Sequence, residues 1–333
     1  MKAVEVHSGI PEMLVWTDRP ETHPGPGEVS VRWHASSLNF HDYLVAIGGI
    51  PVNPGRVPMS DGAGEVIAVG EGVTQWQPGD RVMSLFFPNW MEGKPDFNKT
   101  RHISGETVDG FALEQSCVPA QSLTTIPEGW SFGEAATLPC AALTAWRALF
   151  RAACIKPGDS VLIEGTGGMS IFALQFALAA GAQVFATTGS ATKTQHLLDL
   201  GASAVINYKE DPNWGKTLFK MTKGGIDHVL DVGGGSTMTQ SIEAAAVGGN
   251  IIAIGILGNG RKGELTYPKL FFKHLTLHGI AVDHKSAQED MVRAINQMGI
   301  KPVIDSSFPL EDLKKAFARQ ESGQHFGKIV VEW

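Results

Sequence analysis

The chain has 333 residues, enough for about two domains at roughly 150 residues each. Lysine and arginine total 27 against 34 aspartates and glutamates, a net charge of −7, and no polybasic block occurs, which argues against nucleic acid or an anionic membrane as a partner. The longest apolar stretch, 171–186, is broken by Gln175, Gly181 and Gln183 and is too polar to span a bilayer.

The opening residues alternate like a strand, with no long apolar run and no small-residue cleavage site, so a secretory signal is not expected and the cytoplasm is the expected compartment. Strand-like runs cover 1–6, 29–35, 64–69 and 81–86, punctuated by Pro24-Gly-Pro-Gly27, Asp61-Gly62 and Gly79-Asp80. Period-two alternation with glycine and proline breaks predicts a largely antiparallel β unit. Residues 89–106, charged and aperiodic, read as a surface loop, while 86–90 (FFPNW) is aromatic and could wall a pocket or simply pack. Cys117, Cys140 and Cys154 are far apart and form no C-x-x-C pair. They are expected as buried thiols, with neither a disulfide framework nor a zinc knuckle.

After Ile126-Pro127 the pattern changes. It predicts a helix over 132–154, strand 160–164, helix 168–180, strand 183–188, helix 192–200, strands 204–206 and 228–232, a helix ending at 246, and strand 250–255. Strands alternating with helices indicate an α/β fold with a doubly wound parallel sheet. The tail reads as strand 275–282, amphipathic helices 289–298 and 310–321, and a closing strand 328–333. That last strand is expected to join the N-terminal β unit. The expected division is therefore 1–125 completed by 271–333, with a dinucleotide-binding domain at 126–270.

The sharpest local signal is Gly165-Thr-Gly167-Gly168-Met169-Ser170, where an apolar strand meets a glycine turn and then an apolar helix. A pyrophosphate can sit on such a helix N-terminus, where N–H groups and the helix dipole meet it and glycine lets the backbone come close. Ser170 stands where the fingerprint usually has glycine or alanine. About 20 residues on, an NAD site wants a carboxylate for the ribose 2′-hydroxyl. Here the strand ends Thr187-Thr188-Gly189-Ser190 and Lys193 follows. Hydroxyls and a cation suit a 2′-phosphate, so NADP(H) is expected; the alternative is that Ser190 merely caps a helix and Lys193 is solvated.

Several further motifs stand in order: Ser37-Leu-Asn39-Phe-His41-Asp42, Asp61-Gly-Ala-Gly64-Glu65-Val66, Gly79-Asp-Arg-Val82, Asp109-Gly-Phe-Ala112, Leu138-Pro-Cys-Ala-Ala-Leu-Thr144-Ala145, Gly201-Ala202 with Ile206-Asn-Tyr208, and Gly327-Lys-Ile-Val330. With these and the glycine turn, the chain resembles, over essentially its full length, the medium-chain dehydrogenase/reductase superfamily, and within it the zinc-free quinone oxidoreductase-like proteins often labelled zinc-type alcohol dehydrogenases. The resemblance implies a GroES-like β domain split between the two ends of the chain, with a Rossmann domain inserted, and a homodimer whose sheets join near 250–257 and 275–282. It also implies that Asn39 and Asp42 match an Asn-x-x-Asp pair lining the reactive cleft, that Thr144 stands beside the nicotinamide, and that Lys193 and Tyr208 contact a 2′-phosphate. Met169, Thr188, Gly255 and Leu257 complete the implied cofactor side. Plain alternatives are a turn-capping role for Asn39 and Asp42, a surface aromatic at Tyr208 and local packing for His41. Asp283-His284-Lys285 departs from the Gly-Ser-Arg of many relatives.

Zinc-using members carry a cysteine at or beside Asn39, a Gly-His-Glu where this chain has Asp61-Gly-Ala-Gly-Glu65, and a four-cysteine lobe between about 84 and 120. None of these is present, and His41 with Cys140 cannot supply the three protein ligands of a catalytic zinc. Without a metal to hold an alkoxide, the acceptor expected is one that delocalises incoming charge, a quinone or an α,β-unsaturated carbonyl, where hydrogen-bond donors suffice. The final proton comes from solvent, His41 or Tyr43. Alternatives are an enoyl-thioester reductase, an alcohol dehydrogenase, or a non-catalytic NADPH-binding protein of the lens-crystallin kind.

Overall fold

The computed structural model describes residues 1–7, 14–258 and 262–333. Two compact units emerge: Met1–Leu143 with Val282–Trp333, and Thr144–Ala281. The first unit thus runs past 125, and the chain returns to it at Val282. The reason is local, because the helix Phe132–Ala136 packs on the β unit through Phe132, which stacks on His34 at 4.5 Å and lies under the Arg81 guanidinium.

In that first unit the strand Glu28–Ser37 is the centre of a seven-stranded sheet. It pairs antiparallel with Ala63–Val69, Gln115–Pro119 and Lys328–Glu332. The C-terminal strand joins the N-terminal β unit, as expected, in the register Val330↔Ser37. Alternation drives the assembly: Val29, Val31 and Trp33 are fully buried with Val66, Val82 and Val331, and Trp33 packs on Phe111 at 4.5 Å while its Nε1 donates to Ser116 Oγ.

The differences from the sequence reading are instructive. The strand expected to 86 stops at Ser84, and Phe86, Phe87 and Trp90 turn inward as an edge-on aromatic stack that is ordinary packing. The 89–106 segment is therefore anchored, by Trp90 and by buried Ser104 bonding to the Leu85 carbonyl, rather than lying wholly on the surface. Strands Gln115–Pro119, Leu123–Thr125 and Ile304–Pro309 lack clear alternation and leave no period-two signal. The helix expected over 132–154 is interrupted by wider π-type turns at Leu138–Ala142 and Arg147–Ala152. The cysteines are not all buried: Cys117 and Cys140 are half-buried and Cys154 is exposed, because the chain turns outward there through a left-handed φ of 53°.

The second unit is the doubly wound sheet. Its elements are β1 (Ser160–Glu164), α1 (Gly168–Ala179), β2 (Gln183–Thr188), α2 (Ala191–Asp199), β3 (Ala204–Asn207), α3 (Trp214–Met221), β4 (Ile226–Asp231), α4 (Met238–Ala244), β5 (Ala245–Ala253), α5 (Tyr267–Phe272) and β6 (Thr276–Gly279). All pairings are parallel, in the order 3-2-1-4-5-6. Strand order reverses between β1 and β4, so ligands are expected outside their carboxyl ends. Helix α3, absent from the sequence reading, earns its place by burying Trp214 and Leu218 one turn apart.

Candidate functional site

Glu164 ends β1 and the chain turns at once through Gly165, whose φ of +72° suits glycine. Gly167 is the N-cap of α1 and offers no capping side chain. A Cβ at Gly165 or Gly167 would meet nothing within 4 Å, so the turn faces open space that backbone N–H groups and the helix dipole can offer to an anion. Gly168 opens the helix, Met169 is half-buried, and Ser170 is buried with its hydroxyl donating to the Glu164 carbonyl at 2.8 Å. Ser170 thus ties strand to helix, which a glycine there could not do. Thr144 is buried in the helical turn Leu143–Trp146. Gly255 lies against the Val232 carbonyl, and exposed Leu257 donates its N–H to that same carbonyl at 2.9 Å.

At the carboxyl ends of β2 and β3 the expected 2′-phosphate residues do come together. Tyr208 N–H donates to the Thr188 carbonyl, Ser190 is the N-cap of α2, and the Tyr208 hydroxyl lies where a Cβ on Gly189 would sit. Gly189 is therefore small because Tyr208 crosses over it. Lys193 follows in the first turn of α2, half-buried.

In the other unit a second cluster forms where Lys328–Glu332 meets Glu28–Ser37. Asn39 caps the helix Phe40–Ala46, and Asp42 closes a capping box by accepting the Asn39 N–H at 2.9 Å and the Ser60 N–H at 2.8 Å. The Asn39 amide donates to Asp61 Oδ2 at 2.8 Å and Ser60 Oγ at 3.2 Å, and its oxygen accepts from Lys328 Nζ at 2.6 Å. Both amide hydrogens are thus committed, so Asn39 bridges the cluster instead of presenting a donor outward. Lys328, buried, also donates to the Leu38 carbonyl and lies 3.7 Å from Asp61 Oδ2. Burial raises the Asp61 carboxyl to about 6 against the pull of Lys328; its Oδ1 is buried with no hydrogen-bond partner. Burial, with the Asp61 charge, also pushes the Cys140 thiol well above its usual range.

His41 lies on the same helix, 16% exposed at its side chain, with Nε2 2.7 Å from Glu106 and Nδ1 3.5 Å from Asp42. Burial opposes its charge, yet the two carboxylates prevail and raise it to about 9, so it is an imidazolium at neutral pH. Tyr43 is elsewhere: its hydroxyl donates to Glu321 and takes no part in the cluster. Sequence reasoning missed Glu106, placed in the supposed loop, and the roles of Ser60, Asp61 and Lys328; a lysine inside the apolar run KIVV was the available signal. It also missed Glu164 and Asp231, two acids that end apolar strands.

Residues 25–128 match the family described as alcohol dehydrogenase GroES-like domain, and residues 168–299 that described as zinc-binding dehydrogenase. A zinc-type alcohol dehydrogenase-like protein of Schizosaccharomyces pombe is 42% identical over 315 residues, covering 92% of this chain and 91% of its own. The chain belongs to the medium-chain dehydrogenase/reductase superfamily. It is an oxidoreductase of that type. Among solved structures, a protein described as an NAD-dependent alcohol dehydrogenase superposes with a TM-score of 0.91 at 33% identity, covering 100% of each chain. A 2-octenoyl-CoA carboxylase reductase solved with NADP and 2-octenoyl-CoA gives 0.88 at 25% identity, covering 99% of this chain and 87% of that one. No helix among the described residues is long and apolar enough to cross a membrane.

The family description implies a zinc ion. Among the described residues no group of three His, Cys, Asp or Glu side chains is disposed to hold a metal. The Asp61 cluster instead holds an amide, a hydroxyl and the Lys328 ammonium, a donor set unlike the N/S/O⁻ ligands zinc takes. The residues do not fit zinc.

Proposed function

We propose that this oxidoreductase reduces a quinone or an α,β-unsaturated carbonyl with NADPH and without zinc. The observation that carries the reading is the Asn39–Asp61–Lys328 cluster with the His41 imidazolium beside it: a buried site furnished with hydrogen-bonding groups and a proton, with no ligand triad among the described residues. When bound, NADPH supplies the hydride equivalent. The chain's own residues do the rest. The turn Gly165–Gly168 and the N-terminus of α1 hold the pyrophosphate, while Ser190, Lys193 and Tyr208 at the ends of β2 and β3 hold the 2′-phosphate, the segment Thr187–Lys193 carrying no carboxylate. Asn39 and Asp42 are positioning residues that fix the cluster. His41 supplies the final proton: of the two side chains expected for this step, Tyr43 is turned to Glu321 whereas His41 stands beside the cluster already protonated. Delocalised charge on the acceptor is met by a donor such as the His41 imidazolium, where a localised alkoxide would need a metal.

A second copy of the chain is the partner we propose. Strand β6 ends the sheet, and Tyr267, Phe271 and Phe272 of the neighbouring α5 with Leu277 of β6 are exposed; an apolar edge invites pairing. Strand β5 is flanked on both sides by β4 and β6, so of the two segments expected at the interface only the later one lies at an edge.

The test is NADPH consumption across a panel of quinones, enones and enoyl thioesters, with NADP-dependent oxidation of saturated alcohols as the contrast. Turnover with quinones or enones and none with ethanol or benzyl alcohol supports the reading. Alcohol oxidation alone overturns it, and NADPH binding with no turnover on any acceptor favours a non-catalytic protein.

A further inference from the structure

The carboxyl ends of β1 and β4 hold two acids that the reading above leaves without a role. Glu164, Asp231 and Ser241 are all buried. Ser241 Oγ lies 2.8 Å from Glu164 Oε1, 2.7 Å from Asp231 Oδ2 and 3.3 Å from the Thr237 carbonyl. A hydroxyl has one hydrogen to give. If both carboxyls were ionised, at least one oxygen would face the serine oxygen lone pair to lone pair at hydrogen-bond distance, in a place with little water to screen it. One of the two must therefore carry a proton and donate it to Ser241.

The other oxygens bind the glycine turn after β4 and the hydroxyl that follows it. Glu164 Oε2 accepts from the Val232 and Gly233 N–H groups at 3.2 and 3.3 Å, and Asp231 Oδ1 accepts from the Gly234 N–H and the Thr237 hydroxyl, each at 2.8 Å. Glu164 directly precedes Gly165, so the pair joins the turn after β1 to the turn after β4 at the point where strand order reverses. The groups facing Glu164 are Asp231 on β4, Thr187 opposite it on β2 and Ser241 on α4, and Thr237 just before that helix faces Asp231. Asp231 is the one titratable group among them, and no lysine, arginine or histidine forms an ion pair with either acid among the described residues.

We propose that Glu164 and Asp231 share a single proton through Ser241, and that this proton positions the two glycine turns for a dinucleotide phosphate and is lost in alkali with loss of affinity. The positioning role rests on the proposed dinucleotide site. Burial and then the Asp231 charge raise Glu164 to about 8, and burial raises Asp231 as well. When the proton leaves for solvent, two adjacent carboxylates repel each other across Ser241 and add a second negative charge beside the phosphate site.

The experiment has two arms. Infrared spectra of the cofactor-free protein are recorded between about pH 7 and 9.5, and NADPH and NADH are titrated by fluorescence over the same range. A buried protonated carboxyl band should be present in the wild type, fade on raising the pH, and be absent from Glu164→Gln. The apparent Kd of the wild type should rise by up to about tenfold per pH unit above the transition. Glu164→Gln keeps a neutral donor toward Ser241 and an acceptor toward the Gly233 turn, so its Kd should stay near the neutral wild-type value throughout; Asp231→Asn gives the same flattening if the glutamine variant folds poorly. Absence of the band in the wild type, or an unchanged alkaline loss in both variants, overturns the proposal. A band that titrates in a wild type that binds neither dinucleotide at any pH overturns the positioning role through failure of the dinucleotide reading, and leaves the shared proton standing.

Discussion

Both units bury a cluster of acids, and they neutralise them in opposite ways. Around Asn39, two fully buried aspartates, Asp42 and Asp61, are met by cations, Lys328 and the His41 imidazolium. At the carboxyl ends of β1 and β4, Glu164 and Asp231 have no cation paired with them among the described residues and are held by hydroxyls and backbone N–H groups. A counter-charge keeps a carboxylate ionised; burial without one keeps a proton on it. Under the function proposed above, the first solution suits a place that offers charge and protons to a reacting carbonyl, and the second a place that must not repel a phosphate.

The largest effect expected from breaking this contrast is at Lys328. Lys328→Met removes the cation and its bonds to Leu38 and Asn39 while leaving two aspartates buried, a loss of about 3–5 kcal/mol by analogy with broken buried pairs. Urea denaturation measures it, and Asp61→Asn in the same chain should restore a substantial part. A Lys328→Met protein as stable as the wild type would show that the counter-charge is not what holds the cluster.

That cluster also marks the limit of what the sequence disclosed. The glycine turn and the parallel strands were legible because each is written in consecutive residues at a regular spacing, whereas the Asn39-x-x-Asp42 pair came from the family resemblance, and its capping box is the plain alternative. Lys328 binds Asn39 across 289 positions and Glu106 reaches His41 across 65, and no local period encodes such partners. The missed short strands share the cause: Gln115–Pro119 exists because Glu28–Ser37 offers it a ladder, not because its own residues alternate. At Asn39 the sequence offers a side-chain amide, and only its neighbours in the fold show both amide hydrogens spent.

The next effect is on turnover. His41→Gln should lower kcat by roughly 100-fold, the lower end of general-acid contributions, and leave the NADPH Kd close to wild type. The wild-type rate should fall as pH rises through about 9, where His41 loses its proton, and this limb should vanish in the variant. The same group shapes stability. Its folded pKa lies above the ordinary value of 6.5, so its contribution is fully present below about 6.5, amounts to about 2–3 kcal/mol near neutrality, and is lost as pH rises through about 9. Denaturation midpoints of wild type and variant should therefore converge in alkali; a constant gap across pH would mean that the variant lost packing and not an ion pair.

The smallest effect sharpens the contrast by separating the two units functionally. Lys193→Ala removes a cation from the first turn of α2, three residues after Ser190, whose carbonyl accepts the Lys193 N–H. A charge-assisted bond to a 2′-phosphate is stronger than a neutral one and is worth about 1.5 kcal/mol or somewhat more, so NADPH should bind at least about tenfold more weakly while NADH is nearly unaffected. With Lys193 on the proposed cofactor side, kcat at saturating NADPH should stay near wild type, the mirror image of His41→Gln. Equal binding of NADPH and NADH by the wild type would remove the 2′-phosphate assignment and leave Ser190 as a helix cap alone. A fall in kcat with unchanged Kd would instead mean that a residue of the nucleotide unit acts on the chemical step, and the division of labour drawn from the two acid clusters would not hold.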